Sequence, residues 1–165
     1  MNIEVELEVD QSEVSLLASS LEAAVEEARP AVQSAMAEAY YDVVYGNIGE
    51  AGVDRPIFWP PLSKRYADKM SRSHATLFVN GQLLNAIKLD NSSDEQSTVS
   101  VSDQDCPYAV AHQYGYPPRN LPARPYFPFD PQTGETTAFT MALVQAAAEF
   151  ALSVTMRENF RGRFA

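Results

Sequence analysis

The sequence is poor in the residues that most often perform chemistry. Its 165 residues include one cysteine, two histidines and seven glycines. A lone cysteine excludes an internal disulfide framework and is consistent with a reducing compartment. The glycines form no G-x-G-x-x-G phosphate-binding loop, and the histidines, His74 and His112, belong to no metal-ligand pattern. We therefore expect neither a cofactor nor a metal ion.

Basic residues are also scarce, and long apolar runs are absent. Twelve Lys and Arg against 22 Asp and Glu give a formal net charge of −10, whereas tight binding to duplex DNA needs clustered positive charge. No uninterrupted apolar run is long enough to span a bilayer. We therefore expect no sequence-specific binding to nucleic acid and no association with a membrane.

The remaining composition is typical of a soluble globular protein. Hydrophobic residues make up 45% of the chain and charged residues 21%, and the length predicts one domain over 1–165. The first ten residues alternate apolar and acidic side chains, unlike a signal or transit peptide. This alternation predicts an edge strand over 1–10 with one apolar face and one acidic face.

A helical period follows the alternating segment. Apolar residues recur at three- and four-residue steps over 11–45, which predicts a long helical region that ends at Gly46. Pro30 lies in its interior, so the region is either one kinked helix or two consecutive helices. Residues 47–75 are expected to form a loop and then a short helix capped by Ser63.

The second half of the chain mixes strand and helix patterns. Residues 76–130 predict a short helix near Gly81, a β-hairpin around the polar loop 90–97 and a rigid proline-rich segment. A closing helix is predicted over 136–158, with one apolar face formed by Phe139, Leu143, Ala146, Ala147, Phe150 and Val154. Together these elements predict an α+β fold, in which a small, mainly antiparallel sheet packs against the N-terminal and C-terminal helices.

The densest pattern runs from Cys106 to Phe129, with the sequence C-P-Y-A-V-A-H-Q-Y-G-Y-P-P-R-N-L-P-A-R-P-Y-F-P-F. Pro107 suits the first turn of a short helix, and Gly115 suits its end. Because prolines fix φ and bias the preceding residue towards extended conformations, the chain beyond Pro117 should be stiff. A stiff backbone lowers the entropy cost of binding, so this segment is a candidate docking surface.

Two stretches rich in Trp, Tyr, Arg and Pro are candidates for a subunit or partner interface, since Trp, Tyr and Arg dominate interface hot spots. The candidate interface residues are Trp59, Pro60, Leu62, Tyr114, Arg119, Arg124, Tyr126 and Phe127. Two alternatives stay open at this point. Trp59 is either an aromatic plug over the core or an exposed anchor. Arg124 pairs either with a carboxylate of a neighbouring subunit or with an internal carboxylate on the long helix.

Four short motifs occur in a recognisable order: W-P-P-L-S at 59–63, G-Q-L at 81–83, Y-A-V-A-H-Q-Y-G at 108–115 and P-A-R-P-Y at 122–126. Over roughly residues 30–130 this order resembles the Mu-type phage virion morphogenesis, or tail completion, family. The motif residues to which we assign structural roles are Gly81, Tyr108, His112, Gly115, Pro122 and Pro125.

The resemblance implies a structural protein without enzymatic activity. In that family, copies form a ring, taken here as hexameric, that contacts tail tube and head connector proteins and enables head–tail joining. DNA passes through such a ring, and an acidic chain suits a lumen that repels it. A closed ring needs two different complementary faces on each copy. The resemblance also implies location in the virion tail, and in the host cytoplasm during assembly.

Two other functions remain open from the residues alone. A cytosolic adaptor or regulatory module could bind one partner through the aromatic and proline-rich loop. A small enzyme could use Cys106 and His112 as a nucleophile and base, but the sequence offers no visible orienting residue or oxyanion device. We therefore expect no enzymatic activity.

Overall fold

Two long helices with a short hairpin and several turns between them make up the architecture. The computed structural model describes residues 11–49, 52–70, 77, 81–93 and 96–163. The elements, in chain order, are α1 (Gln11–Ile48), α2 (Lys64–Met70), α3 (Gln82–Ala86), β1 (Ile87–Asp90), β2 (Thr98–Val101), α4 (Ala109–Tyr114) and α5 (Ala138–Arg163). The predicted α+β class is confirmed. The edge strand predicted over 1–10 lies outside the described residues.

α1 is one continuous α-helix with Pro30 in its interior. The alternative of two consecutive helices is therefore wrong. The helix ends at Ile48 rather than at Gly46, because the side chains of Asn47 and Ile48 are both fully buried in the core. Burial of these two side chains outweighs the low helix propensity of the glycine before them.

α5 packs antiparallel along α1. Near the start of α5, Thr140 binds Asp54, six residues beyond the end of α1, through a 2.6 Å hydrogen bond. Near its other end, Asn159 Nδ2 donates to Glu27 Oε2 at 3.2 Å. α5 ends only four residues after Asn159, so the first turns of α1 extend beyond the end of its partner helix.

The predicted apolar face of α5 is largely uncovered within the subunit. Phe139, Leu143 and Phe150 are all exposed, and Phe150 retains 72% of its accessible surface. Their spacing places them on one side of the helix, beside the face that contacts α1. We call these three residues the α5 stripe.

The first half of α1 has a matching feature. Val14, Leu17, Leu21 and Val25 are exposed and follow the spacing of one helix face. We call these four residues the α1 stripe. The sequence pattern correctly predicts both stripes as apolar faces, but the subunit itself supplies little to cover them.

α5 also passes a length and composition test for a membrane-spanning helix. Within Ala138–Asn159, an 18-residue window has a mean hydropathy of 1.4, and 6% of that window is buried. A single such helix is weak support for a membrane segment, because mostly buried core helices of soluble proteins pass the same test. α5 differs from those core helices in being largely exposed within the subunit. The criterion of an uninterrupted apolar run did not identify α5 as a candidate membrane span, because polar residues interrupt every such run in the sequence.

The β-hairpin lies against α1. β1 and β2 are antiparallel, with a register that runs from Ile87 opposite Val101 to Asp90 opposite Thr98, and both strands contact α1. The predicted hairpin around the polar loop is therefore confirmed. Near its turn, Asn91 Nδ2 donates to Ser34 Oγ of α1 at 2.9 Å.

The buried core lies at the C-terminal end of α1, where the loops and short helices converge. Its members are Val44, Ile48, Trp59, Leu77, Leu83, Ala86, Ile87, Cys106, Ala109 and Tyr126. The chain thus has a packed end and a two-helix arm that leads away from it. The candidate site lies at the packed end.

Candidate interaction site

Arg124 is a buried residue whose hydrogen bonds link the proline-rich segment to the loop before α2. Only 4% of the residue is exposed. Its Nε and Nη2 atoms donate to the carbonyl oxygen of Pro60 at 3.1 and 3.0 Å, and Nη2 also donates to that of Pro61 at 3.2 Å. The predicted internal salt bridge is therefore wrong, since the partners are backbone carbonyls. A charged donor binds such carbonyls more strongly than a neutral one does.

Trp59 fills the core, as the first of its two alternatives predicted. It is 6% exposed, and its Nε1 donates to the carbonyl of Pro125 at 3.0 Å. The Arg55 guanidinium lies 3.6 Å from the centroid of its ring. The assignment of Trp59 as an exposed interface anchor is therefore wrong for the folded subunit, whose neighbouring residue Phe58 is 91% exposed.

Tyr126 is also interior, held by side chains from two helices. Gln113 Oε1 accepts hydrogen bonds from the backbone N–H groups of Tyr126 at 3.1 Å and Phe127 at 3.0 Å. Asn47 Nδ2 donates to the Tyr126 carbonyl at 3.1 Å. The assignment of Tyr126 to an open interface is therefore wrong, whereas Phe127 is half-buried against Tyr40, with ring centroids 6.4 Å apart.

Asn47 is the most connected buried polar side chain near the site. Its Nδ2 also donates to the carbonyl of Asp54 at 2.8 Å, and its Oδ1 accepts from the N–H groups of Val53 at 2.9 Å and Asp54 at 2.7 Å. One amide thus joins the end of α1, the following loop and the proline-rich segment. Sequence reasoning missed this role, because an Asn after a helical stripe resembles any loop residue.

Asp54 fixes the start of α5. Its Oδ2 accepts from Thr140 N at 3.1 Å and from the hydroxyl groups of Thr140 and Thr137. A carboxylate at a helix N-terminus satisfies unpaired N–H groups and interacts favourably with the helix dipole. The sequence pointed to Thr136 or Thr137 as the helix start but not to this partner, which is distant in the chain.

Two motif glycines adopt conformations that favour glycine. Gly115 ends α4 with φ 79°, and a Cβ there would lie 3.0 Å from the backbone nitrogen of Ala123. Gly81 precedes α3 with φ 78°. Both positions are in the left-handed region, where glycine avoids the strain of a side chain. Their predicted structural roles are consistent with this geometry.

Of the remaining predicted interface residues, Leu62 and Arg119 line a cavity, and Tyr114 and Pro60 do not. Tyr114 and Arg119 are exposed, and Pro60 and Leu62 are half-buried. A cavity of about 540 Å³ opens between α2, α4 and the 3-10 turn Pro117–Arg119. Its lining residues are Leu62, Ser63, Tyr66, Leu77, Gln82, Tyr108, His112, Arg119, Asn120, Leu121, Pro122 and Arg124.

His112 lies in the wall of this cavity with an unusual environment. Its Nδ1 atom is buried and has no hydrogen-bond partner among the described residues. The ring of Tyr108 meets it edge-on, with centroids 5.5 Å apart. Burial, and secondarily the charge of Arg124, lower the pKa of His112 below its ordinary value, so the imidazole is neutral at pH 7.

The stability of the protein is expected to fall as the pH drops below the ordinary His pKa of about 6.5. In that range the unfolded state takes up a proton at His112 that the folded state resists, so the free energy of unfolding decreases until the lower folded pKa is reached. Urea unfolding at pH 7.5, 6.5 and 5.5 measures the effect. His112→Gln should flatten the profile, and an unchanged profile would contradict this role.

Cys106 is completely buried in the core. No group of three or more potential metal-ligating side chains occurs within the described residues. A buried thiol favours a packing role for Cys106 over a nucleophilic one.

No family model, curated protein or solved structure matches this chain. The interpretation of the site therefore depends on its own geometry and on the motif resemblance.

Proposed function

We propose that this chain is a structural subunit of a phage or prophage particle that completes the head-proximal end of the tail. Identical copies form a ring, which joins the tail tube to the head connector. The ordered motifs at 59–63, 81–83, 108–115 and 122–126 support this proposal. The structure adds that Arg124, Trp59 and Tyr126 are buried, so these motif residues stabilise the subunit from within.

The observation that carries the proposal is the exposed apolar surface of the two-helix arm. The α1 stripe and the α5 stripe leave seven large apolar side chains uncovered on two long helices. Monomeric proteins rarely leave extended apolar surfaces uncovered, and such surfaces mark interaction sites. Contact with neighbouring copies along the arm would cover them.

The packed end supplies a second, different surface. Phe58 projects almost fully into solvent next to the half-exposed Ile57, on a loop whose neighbouring residue Trp59 is fixed in the core. An exposed aromatic residue beside a rigid anchor is a low-entropy contact for a partner. Two unlike surfaces on one subunit meet the requirement for a heterologous interface that closes into a ring.

The net charge of −10 supports an acidic lumen through which DNA passes without binding. The two proposed faces use apolar and aromatic side chains, which leaves most acidic groups for the remaining surface. A reconstruction of the ring with a neutral or basic channel would contradict this part of the proposal.

Phe150→Ser is expected to weaken self-association while leaving the subunit folded. Phe150 is mostly exposed, so its removal takes little from the monomer core, whereas burial of one aromatic side chain in an interface contributes about 2 kcal/mol. Light scattering after size-exclusion chromatography, over a range of concentrations, measures the oligomer. The matched control is Gln145→Ser, an exposed polar position on the same helix.

Two results would contradict the assembly role of the α5 stripe. One is an unchanged distribution of oligomers for Phe150→Ser. The other is a large loss of thermal stability in the monomer, which would show that Phe150 stabilises the subunit itself.

An adaptor that binds a single partner through the loop at Phe58 is the second candidate. The near-complete exposure of Phe58 favours a binding role under either function. Stoichiometry separates the two, because an adaptor has no requirement for a closed ring of identical copies.

A further inference from the structure

The cavity at the packed end is basic, although the chain as a whole is acidic. Arg119 and Arg124 line it, and no Asp or Glu occurs among its described lining residues. His112 also lines it but is neutral at pH 7. Arg124 is buried and bound to the carbonyls of Pro60 and Pro61, so Arg119 is the exposed cation of the described wall. The side chain of Arg119 makes no hydrogen bond or ion pair within the described part of the chain. In a chain with a net charge of −10, such a site favours an anionic ligand.

The rest of the cavity wall is suited to an apolar chain. Leu62, Leu77 and Leu121 lie beside the rings of Tyr66 and Tyr108. A volume of about 540 Å³ is in the range of ordinary ligand sites and exceeds a single side chain. The walls therefore match an extended segment in which acidic and apolar side chains alternate.

We propose that this cavity receives side chains from residues 2–10 of a neighbouring copy of the same chain. Their sequence, N-I-E-V-E-L-E-V-D, alternates four acidic residues with four apolar ones. In an extended conformation the acidic side chains share one face, which would meet Arg119, and the apolar side chains share the other. The proposal rests on the proposed ring function, because it supplies the contact between adjacent copies.

The length of α1 makes this contact intermolecular. α1 has 38 residues, so at about 1.5 Å per residue Gln11 lies roughly 55 Å from the packed end. Ten residues span at most about 36 Å when fully extended. Because α1 is continuous and α5 lies antiparallel along it, the N-terminal segment starts too far away to reach the cavity of its own subunit.

A second copy fits better than an unrelated acidic partner. Each chain has one such segment at the far end of its arm and one basic cavity at its packed end. Contacts between unlike ends repeat from copy to copy and close when the rotation permits, as a heterologous ring requires. The segment would also bring the exposed α1 stripe of one copy towards the next subunit.

Disulfide cross-linking between two single-cysteine additions tests the contact in the full chain. One chain has Glu6→Cys in the N-terminal segment, and the other has Ser63→Cys at the cavity wall. The native Cys106 is fully buried and does not compete. Mixing the chains under mild oxidation should give a disulfide-linked pair with one copy of each. The matched control replaces Ser63→Cys by Ser100→Cys, an exposed serine outside the cavity.

A charge exchange tests the role of the arginine. Adding Arg119→Glu to the Ser63→Cys chain should reduce the cross-linked yield about five-fold or more, since one lost ion pair at an exposed site corresponds to about 1 kcal/mol. Adding Glu4→Lys and Glu8→Lys to the other chain should restore it. Arg157→Glu, with the same charge change on α5 away from the cavity, should leave the yield unchanged.

The outcomes distinguish this inference from the proposed function. Equal cross-linking to Ser63→Cys and Ser100→Cys would overturn docking in the cavity. An intramolecular disulfide in a chain with both Glu6→Cys and Ser63→Cys would overturn the intermolecular contact. A closed ring by light scattering without the specific cross-link would refute only the inference. A specific cross-link in open chains or dimers without a ring would support docking and refute the proposed function.

Discussion

Arg124→Ala is expected to lower the free energy of unfolding by about 3 kcal/mol, since each hydrogen bond to a charged group contributes about 1.5–3 kcal/mol. The substitution removes the donors to the carbonyls of Pro60 and Pro61 and leaves these acceptors unpaired in a part-buried region. It also opens a cavity under the proline-rich segment. Urea unfolding followed by circular dichroism measures the loss.

Arg119→Ala is the matched control for this prediction. Arg119 lies five residues earlier on the same segment, but it is exposed, so its removal should change the free energy of unfolding by no more than about 0.5 kcal/mol. Arg124→Lys should be intermediate, because an ammonium group cannot reproduce the planar fork of donors. An Arg124→Ala protein as stable as Arg119→Ala, but unable to assemble, would contradict the internal role and restore Arg124 to the interface.

Asn47→Asp is expected to destabilise the protein by at least about 3 kcal/mol, because it puts a charge in a buried site and removes a donor. Asn47 is fully buried, and its Nδ2 faces the carbonyl oxygens of Asp54 and Tyr126. A carboxylate has nearly the same shape as the amide. It would place a carboxylate oxygen, which can only accept, against these two carbonyl oxygens in place of the Nδ2 donor. The effect therefore tests the hydrogen-bond pattern with little change in volume.

Asn85→Asp serves as the control, because Asn85 is an exposed residue of α3. The same chemical change there should be nearly neutral. The Asn47→Asp protein should regain part of its stability at low pH, where the carboxyl group is protonated and can donate once. Equal stability of the two variants at pH 7 would contradict the arrangement around Asn47.

Secondary-structure elements were predicted well where the residues that determine them lie close together in the sequence. The alternation at Val99 and Val101 and the polar run before them identified β2, which spans Thr98–Val101. Pro107 and Gly115 bracketed α4. In each case the residues that determine the element lie within it or next to it, so one short window contained the information.

Most of the sequence-based predictions that were wrong or missing concern residues with long-range contacts. Trp59 and Phe58 are adjacent, but Trp59 is buried and bonds to Pro125, far along the chain, whereas Phe58 is exposed. Tyr126, one partner of Asn47, and Pro60, a partner of Arg124, are also distant in sequence. No local period encodes which of two neighbouring aromatic residues faces the core, and none encodes which carbonyl a guanidinium binds.

The two stripes illustrate a different limit. A helical period predicts an apolar face, but it does not specify whether that face meets the same chain or another one. Leu17 and Phe150 follow the predicted pattern and are nevertheless exposed. Their exposure changes the proposed assembly surface, which now consists of the arm and Phe58 instead of the buried motif residues Trp59, Arg124 and Tyr126.

Electron microscopy of particles from a phage or induced prophage that lacks this gene tests the central claim most directly. The account predicts filled heads beside unattached tails, with joining restored by the wild-type gene and by the Gln145→Ser control but not by Phe150→Ser. Normal infectious particles in the absence of the gene would contradict the proposed role in the tail.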